Sequence, residues 1–272
     1  MSGSTLGKGN AADVTPTRNF AAENPEGRRL DCTLLLSSVR GFSAWSEKLS
    51  PAILVQLLNS YLDRMAAVAM HSAGRMDRYL SESIVAIFET SHPDRALHAC
   101  NAAMEMAREF RRLQADWSEF RVAPLAIDIG ITSGPVVIGD IEVGNRGATN
   151  VFGEAVNRAR HMEGLNREYG THILLDEATY HLVEETLPHL REIDHTQIRN
   201  RPEPLRVYDL MLAEDYPHMD WLGEFQRGYE LFRADLRPQA RTVFKTLAEQ
   251  VQDPVSRYYL DRCVGPRRRR GD

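Results

Sequence analysis

Several features that would assign this chain to a specialised class are scarce or missing. There are only three cysteines, Cys32, Cys100 and Cys263, without CxxC or metal-site spacing, which predicts buried thiols in a reducing cytoplasm. No apolar run approaches the roughly 18 residues of a membrane span. Residues 1–27 lack the apolar core of a secretion signal. The net charge of −5 gives no overall attraction to nucleic acid. These absences predict a soluble cytoplasmic protein with neither a membrane span nor a nucleic-acid partner.

The composition that remains is that of a globular protein, 43% hydrophobic and 26% charged over 272 residues. The pattern predicts four parts: a disordered leader (1–29), a main domain (30–212), a helical hairpin (213–265) and a basic tail (266–272). The hairpin sequence GYELFRADLRPQARTVFKTLAE resembles one tetratricopeptide unit. The tail contains Arg267–Arg270 and is predicted to be solvated, with binding to an anionic surface as the alternative.

Hydrophobic periodicity predicts the elements of the main domain. Helices are predicted at 51–73, 92–120, 154–167 and 177–184, and strands at 31–37, 75–80, 83–88, 125–132, 136–141, 171–175, 193–198 and 205–210. The strands at 125–132 and 136–141 are predicted to form a hairpin turned at Ser133-Gly134-Pro135, followed by a projecting polar arm at 139–150. The order βαββαβ, with extra strands, predicts an α+β fold of the ferredoxin-like type.

The apolar run at 34–36 stops at two serines and reaches a corner at Arg40-Gly41-Phe42. Gly41 permits a tight turn that exposes backbone N–H groups, which are favourable partners for phosphate. Taken alone, however, this stretch favours an ordinary strand–turn–helix joint over a phosphate site.

Five motifs together resemble one family, the class III adenylate and guanylate cyclases. LLLSSVRGFSAWSEKLSP (34–51) is similar to LFADIRGFTxxSE, GRMDRYLSESIVAIF (74–88) to GGxVDKFIGDAIMAVF, IDIGITSGPVVIGDI (127–141) to IGINTGxVVxGxI, NVFGEAVNRARHME (150–163) to YTVIGDTVNLAARLE, and QIRNRPEPLRVYDL (197–210) to VKGKxEPVxVYEL. The motifs run in order from about Leu30 to Leu210. The resemblance implies a dimer that cyclises a nucleoside triphosphate between its two subunits.

The resemblance also assigns positions in the active site, and several have changed. The two Asp that hold metal ions correspond to Ser38 and Glu82. The ribose-positioning Asn is kept as Asn157, whereas the Arg that stabilises the transition state corresponds to His161. A neutral hydroxyl is a poor Mg²⁺ ligand, and imidazole lacks the guanidinium fork.

Other positions concern the substrate. Arg78 and Asn150 correspond to the purine-reading pair, and Arg199 and Arg201 replace two lysines near the polyphosphate. Together with the corner at Arg40, Gly41 and Phe42, these residues leave binding of ATP or GTP without a metal as an open interpretation.

The changes at Ser38, Glu82 and His161 inside otherwise faithful motifs predict little or no cyclase activity. The leading hypothesis is a homodimeric regulatory or scaffolding pseudoenzyme in bacterial signalling, with a signalling protein as partner and no cofactor. One alternative is an active cyclase with a rewired site that uses Mg²⁺ or Mn²⁺ at Glu82. Another is a protein-interaction module that acts through residues 222–263.

Overall fold

The computed structural model describes residues 27–80, 82–89, 91–120, 125–143, 146–197, 204–216 and 218–264. The strands of this part are β1 Arg28–Arg40, β2 Arg75–Leu80, β3 Ser83–Glu89, β4 Ala126–Val143, β5 Arg146–Phe152, β6 Ile173–Asp176, β7 Leu190–Thr196 and β8 Leu205–Leu210. Its α-helices are α1 Phe42–Ser46, α2 Pro51–His71, α3 Arg95–Asp116, α4 Glu154–Tyr169, α5 Glu177–Val183, α6 Leu222–Arg233, α7 Arg237–Gln250 and α8 Pro254–Val264. The predicted basic tail and residues 1–26 of the predicted leader lie outside the described residues, whereas Arg28 and Arg29, assigned to the end of the leader, belong to β1. Within them, no helix has both the length and the hydropathy needed to cross a bilayer.

The strands form one sheet in the order β2-β3-β1-β4-β6-β8-β7, and β5 pairs with β4. Neighbouring strands are antiparallel except β4 and β6, which are parallel. The chain order β1-α2-β2-β3-α3-β4 confirms the predicted α+β, βαββαβ arrangement.

Alternate side chains of β1 point to opposite faces of the sheet, as strand geometry requires. Leu35 lies in the core formed with α2 and α3. Leu34 and Leu36 lie in a second core with Ala155 and Ala159 of α4. Helix α4 therefore covers the face opposite to α2 and α3, and this placement brings it beside the end of β1.

The predicted hairpin turn at Ser133-Gly134-Pro135 is wrong, because β4 runs through these residues without turning. Its partner β1 is long, and Pro135 pairs with Asp31 in a continuous register. On its other side, β4 pairs with β6 only at Ile129–Ile131 and with β5 only from Val137 onward. The absent N–H of Pro135 therefore interrupts no ladder on that side. The predicted arm is a β-hairpin made by the end of β4 and by β5.

The predicted C-terminal hairpin is also incomplete, because three helices, α6, α7 and α8, follow the main domain. They share a hydrophobic core with β7, β8 and the end of α4. Within this interface the buried guanidinium of Arg191 (β7) lies 2.9 Å from Asp209 (β8) and 2.7 Å from Asp253, just before α8. Its Cζ lies 4.3 Å from the ring centroid of Phe225 in α6. These helices therefore pack against the sheet and α4 of the main domain. Their likeness to a tetratricopeptide unit stays a prediction.

Candidate functional site

The candidate site lies where β1 ends, between two neighbouring strands and under α4. Ser38 is paired with Ser83 in β3 and with Asp128 in β4. Gly41 follows β1 with φ of 90°, in the left-handed region that favours glycine, and α1 begins at the next residue. The corner inferred from the sequence is thus present, and it places Ser38, Arg40 and Gly41 at one edge of the sheet.

The hydroxyl group of Ser38 is directed at helix α4. Its Oγ donates a hydrogen bond to the Glu163 carboxylate, and only 8% of Ser38 is exposed. Burial raises the pKa of Glu163, and the negative charges of Asp128 and Glu82 raise it further, although Ser38 and Arg167 act in the opposite direction. Three carboxyl groups therefore gather around the position where the resemblance places a metal-binding Asp.

The side chain of Arg40 forms a partly buried ion pair. Its Nε lies 3.0 and 3.1 Å from the two carboxylate oxygens of Asp128, and its Nη2 contacts the same carboxylate. That Nη2 also donates to the backbone oxygen of Thr171 at 2.7 Å. These contacts engage the guanidinium, while the predicted phosphate binding by backbone N–H groups of the corner at Arg40, Gly41 and Phe42 stays a prediction.

Helix α4 is held unusually close to the sheet at Gly130 of β4. A Cβ atom added to Gly130 would lie 2.2 Å from the backbone oxygen of Ala159 and 2.5 Å from the backbone nitrogen of Glu163. Asn166 adds a bond across the same contact, since its Nδ2 donates to the backbone oxygen of Ile129 at 2.9 Å. This close approach sets the position of Glu163 over Ser38.

The two positions predicted to act in catalysis, Asn157 and His161, have different surroundings on α4. Asn157 is exposed, whereas His161 is half-buried and its buried Nε2 has no hydrogen-bond partner among the described residues. Burial lowers the pKa of His161, so the imidazole is neutral at pH 7. His161 therefore supplies no positive charge beside Asn157.

Two arginines flank these positions. Arg158 is fixed by Asp176, whose Oδ2 lies 2.9 Å from its Nε, and by the backbone oxygen of Ser133 at 2.7 Å from its Nη2. Arg160 is exposed to solvent. Of the two, Arg160 alone has its side chain in solvent beside Asn157.

Of the remaining predicted site residues, some lie within the described part of the chain and others do not. Glu82 lies in the turn between β2 and β3, near enough to Glu163 to affect its pKa. Asn150 lies in β5 opposite Gly139, and Phe42 packs partly buried against the core as the first residue of α1. The side chain of Arg78, and all of Arg199 and Arg201, lie outside the described residues. The predicted purine and polyphosphate contacts therefore stay predictions.

The side-chain donors present do not fit the pair of metal ions that the resemblance implies. Of the two metal positions, only Glu82 carries a carboxylate, and the hydroxyl of Ser38 is engaged by Glu163. Across the described ranges, no group of three or more His, Cys, Asp or Glu side chains is spaced to hold a metal ion. The gathered carboxyl groups are partly neutralised instead by Arg40 and by hydrogen bonding.

Two residues that shape this site, Glu163 and Asp128, are absent from the sequence-based assignment. Ser38 and Glu163 are 125 positions apart, so local pattern gives no sign of their contact. Asp128 could have been singled out from the sequence, because it is the one acidic residue in the apolar segment IDIGI of a buried strand. Buried acids require a partner, and that rule alone would have directed attention to a nearby arginine.

Known proteins of one family are similar to this chain in sequence and in fold. The profile of the adenylate and guanylate cyclase catalytic domain matches residues 26–211. An adenylate cyclase of Anabaena cylindrica is 30% identical over 184 residues, which cover 65% of this chain and 36% of the relative. A terminal-differentiation-specific adenylate cyclase of Dictyostelium discoideum is 27% identical over 240 residues, 85% of this chain and 11% of the relative. This chain therefore spans only a minor part of the length of either protein.

A solved structure is similar over the same part. The crystal structure of the guanylyl cyclase Cya2 superposes with a TM-score of 0.61 and 28% sequence identity, covering 68% of this chain and 93% of that chain.

Proposed function

The chain belongs to the adenylate and guanylate cyclase catalytic domain family, and from that premise we propose that it is a catalytically degenerate member. In this proposal it keeps the dimeric fold but makes little or no cyclic nucleotide. It acts as a regulatory or scaffolding subunit in bacterial signalling, with another signalling protein as its partner.

The observation that carries this proposal is the bond between Ser38 and Glu163. The motifs that this chain resembles carry Asp at the position of Ser38 and Glu at the position of Glu163, so in those motifs two carboxylates meet and favour a bound cation. The serine instead donates a hydrogen bond to Glu163. The position of a metal-binding carboxylate is therefore occupied by a hydroxyl group that is bonded within the chain. Loss of the positive charge at His161 acts in the same direction, because a comparable arginine in phosphoryl transfer contributes roughly 10³-fold or more to the rate.

The β4–β5 hairpin supports the dimeric part of the proposal. Val137 and Phe152 pair across it, and both are exposed, at 37% and 45%. Neighbouring exposed apolar side chains of this size favour contact with another protein surface. A second copy of the chain is the partner that the family resemblance implies.

An active cyclase with a rewired site is the second candidate, and the exposure of Arg160 favours it. Residues three positions apart on a helix are separated by about 60° around its axis, so Arg160 lies near Asn157 on the side away from His161. In that arrangement Arg160 would supply the missing positive charge, and Glu82 would bind Mg²⁺ or Mn²⁺.

The test incubates the purified chain with ATP, GTP, CTP or UTP, each with Mg²⁺ or Mn²⁺, and detects cyclic product by mass spectrometry. A matched double variant carries Ser38→Asp and His161→Arg, which restores both lost groups and keeps Glu163, since the similar family motif also ends in Glu. Far-ultraviolet circular dichroism checks that each protein is folded. In parallel, equilibrium dialysis with ATP and GTP in EDTA measures nucleotide binding without metal.

We expect no cyclic product from the native chain and measurable product from the double variant. Product from the native chain that disappears in both Glu82→Ala and Arg160→Gln would overturn the proposal and establish the rewired cyclase. Light scattering of Phe152→Asp measures the dimeric part separately, since this change should yield monomers without unfolding.

A further inference from the structure

The C-terminal end of α4 is held between the sheet and the helical extension formed by α6–α8. Tyr169 is the last residue of α4 and is only 2% exposed. Its hydroxyl donates a hydrogen bond to Oδ2 of Asp194 in β7 at 2.6 Å. Its ring lies edge-on to the ring of Tyr258 in α8, with 4.8 Å between the two centroids. The helix that carries the candidate site therefore ends against both β7 and α8.

Two polar contacts join α4 to α8 beside this pair of rings. The hydroxyl of Tyr258 donates a hydrogen bond to Oε1 of Glu168 at 3.0 Å. Nη1 of Arg262 lies 3.5 Å from the same oxygen. The contacts of Tyr258 and Arg262 with Glu168 and Tyr169 are called the clamp below.

The start of α8 is attached to the sheet separately from the clamp. Oδ2 of Asp253, just before α8, accepts a hydrogen bond from the backbone nitrogen of Ser256 at 2.8 Å, and the same carboxylate pairs with Arg191 of β7. Asp253 is fully buried, whereas the side chains of Glu168 and Arg262 are 50% and 43% exposed. Contacts that face solvent open at lower cost than buried ones. The clamp is therefore the part of α8 that can be released while its start stays attached.

The clamp acts on the same helix that carries Glu163. At 1.5 Å per residue, Glu163 and Glu168 are about 7.5 Å apart along the axis of α4. Between them, Nδ2 of Asn166 donates to the backbone oxygen of Ile129, and the clamp holds the part of α4 beyond this bond. A helix transmits a shift of its end along its length, because its backbone hydrogen bonds make it a rigid element. The bond between Glu163 and Ser38 therefore depends on how the far end of α4 is held.

We propose that the clamp couples the helical extension to the site at Ser38. While α8 is attached, α4 stays seated on the sheet and Glu163 keeps its bond with Ser38. Release of the clamp tilts α4 and weakens that bond. Because such coupling is reciprocal, a protein that binds the extension and opens the clamp also changes the site. The coupling does not depend on whether the site makes cyclic nucleotide.

The first test measures hydrogen exchange of α4 by mass spectrometry in the full chain. The clamp variant carries Tyr258→Leu and Arg262→Gln. Its matched control carries Phe232→Leu and Arg237→Gln, which also removes an arginine from an aromatic ring, 3.8 Å from its centroid, but on α6 and α7. Glu168→Ala, at an exposed position of α4, removes the polar contacts of the clamp if the clamp variant fails to fold.

The second test is a double-mutant cycle that combines Ser38→Ala with the clamp variant and, separately, with the control. Urea denaturation gives the unfolding equilibrium constant of each protein. A structural contribution of the clamp that does not reach Ser38 changes this constant by the same factor in both backgrounds. Only coupling makes the effect of Ser38→Ala depend on the clamp.

We expect the amides of α4 to exchange about tenfold faster in the clamp variant, since a hydrogen bond to a charged group is lost. The control should leave their exchange unchanged. In the cycle, Ser38→Ala should raise the unfolding constant about threefold less, or by a still smaller factor, once the clamp is removed, whereas its effect in the control should agree with that in the native chain within about twofold.

Three results would overturn the proposal: unchanged exchange in α4, equal acceleration by the control, or an effect of Ser38→Ala that is the same with and without the clamp. Asn166→Ala serves as the positive control for exchange, because it removes the bond that fastens α4 to β4. Neither measurement uses a nucleotide, so failure of this coupling is distinguished from failure of the proposed function.

Discussion

At the level of single residues, the site is organised by a hydroxyl group among carboxyl groups. Ser38 donates to Glu163, and Arg40 forms an ion pair with Asp128, so two acidic side chains at the end of β1 have partners within the chain. The arrangement suits a small neutral side chain at position 38. Two consequences of the charges at this site can be tested by measuring the free energy of unfolding instead of activity.

The first prediction concerns Ser38→Asp, which adds a negative charge beside Glu163 and Asp128. We expect the free energy of unfolding at pH 7 to fall by about 1–3 kcal/mol relative to Ser38→Asn, which has nearly the same size but no charge. Adding Glu163→Gln should recover much of that loss. Urea denaturation measures all three, and equal stabilities of the Asp and Asn variants would contradict the description of this site.

The second prediction concerns the pH dependence caused by Glu163. Since the folded state raises its pKa above the ordinary 4.5, the folded chain binds more protons than the unfolded chain just above that pH. The contribution of Glu163 to stability is therefore present in acid and is lost as the pH rises through its folded pKa. Relative to Glu163→Gln, the native free energy of unfolding should fall by up to about 1.4 kcal/mol per pH unit in this window. Denaturation from pH 4 to pH 8 measures the difference, and a flat difference would be inconsistent with the raised pKa.

The sequence alone predicts changed positions at Ser38 and His161, because each lies inside a motif whose other residues fit. It gives no sign of the contacts that surround these two side chains. The contacts of Ser38 with Glu163, and of Arg40 with Asp128, join distant parts of the chain, and only the packing of α4 and β4 creates them. The burial of the imidazole of His161 has the same origin.

At the level of elements, the helix α4 carries Asn157, His161 and Glu163, so its distance from the sheet determines the site. That distance depends on Gly130, because any side chain there would strike the backbone of α4. The tight contact also explains why the apolar strand β4 contains a glycine at this point.

The third prediction concerns Gly130→Ala, whose added methyl group would displace α4 from the sheet. We expect a loss of about 1–3 kcal/mol or more in the free energy of unfolding. Gly164→Ala is the matched control on α4 itself, since a Cβ there meets nothing within 4 Å. It should be neutral or stabilise by up to about 1 kcal/mol through helix propensity. Thermal denaturation compares the two, and similar losses would argue against the close contact.

Most strands and helices of the main domain could be predicted because their apolar spacing is regular. The failure at Ser133-Gly134-Pro135 has a physical cause, since local turn chemistry was overruled by the long pairing partner β1. The third C-terminal helix was missed because its apolar residues Tyr258, Tyr259 and Leu260 were assigned to the predicted helix pair, although Pro254 at its first position is a typical helix start. Long-range pairing and packing decide such cases, and local pattern does not contain them.

At the level of the whole molecule, Arg191 connects the C-terminal helices to the sheet. One buried guanidinium serves two buried carboxylates, and burial raises the pKa of Asp209 to about 6 even with Arg191 beside it. Such a network contributes little net free energy while intact, yet loss of its central cation is costly.

The fourth prediction concerns Arg191→Met, which leaves Asp209 and Asp253 buried without their partner. We expect a loss of about 3–5 kcal/mol in the free energy of unfolding, together with faster hydrogen exchange in α6–α8. Arg227→Met removes an exposed arginine paired with Glu224 and should cost less than about 1 kcal/mol. A loss at Arg191 no greater than at Arg227 would show that the helices are attached by other means.

The same network limits how this protein can be recombined. Arg191 and Asp209 belong to the sheet and form a neutral pair, whereas Asp253 belongs to the helical extension, so the extension by itself carries a buried carboxylate without its cation. A chimera that grafts α6–α8 onto another cyclase sheet must carry Arg191 and Asp209 with it. For the same reason, a crossover point placed after β8 would separate Asp253 from Arg191. Exchange of the extension by shuffling is therefore restricted to scaffolds whose sheet already contains the residues that pair with Asp253.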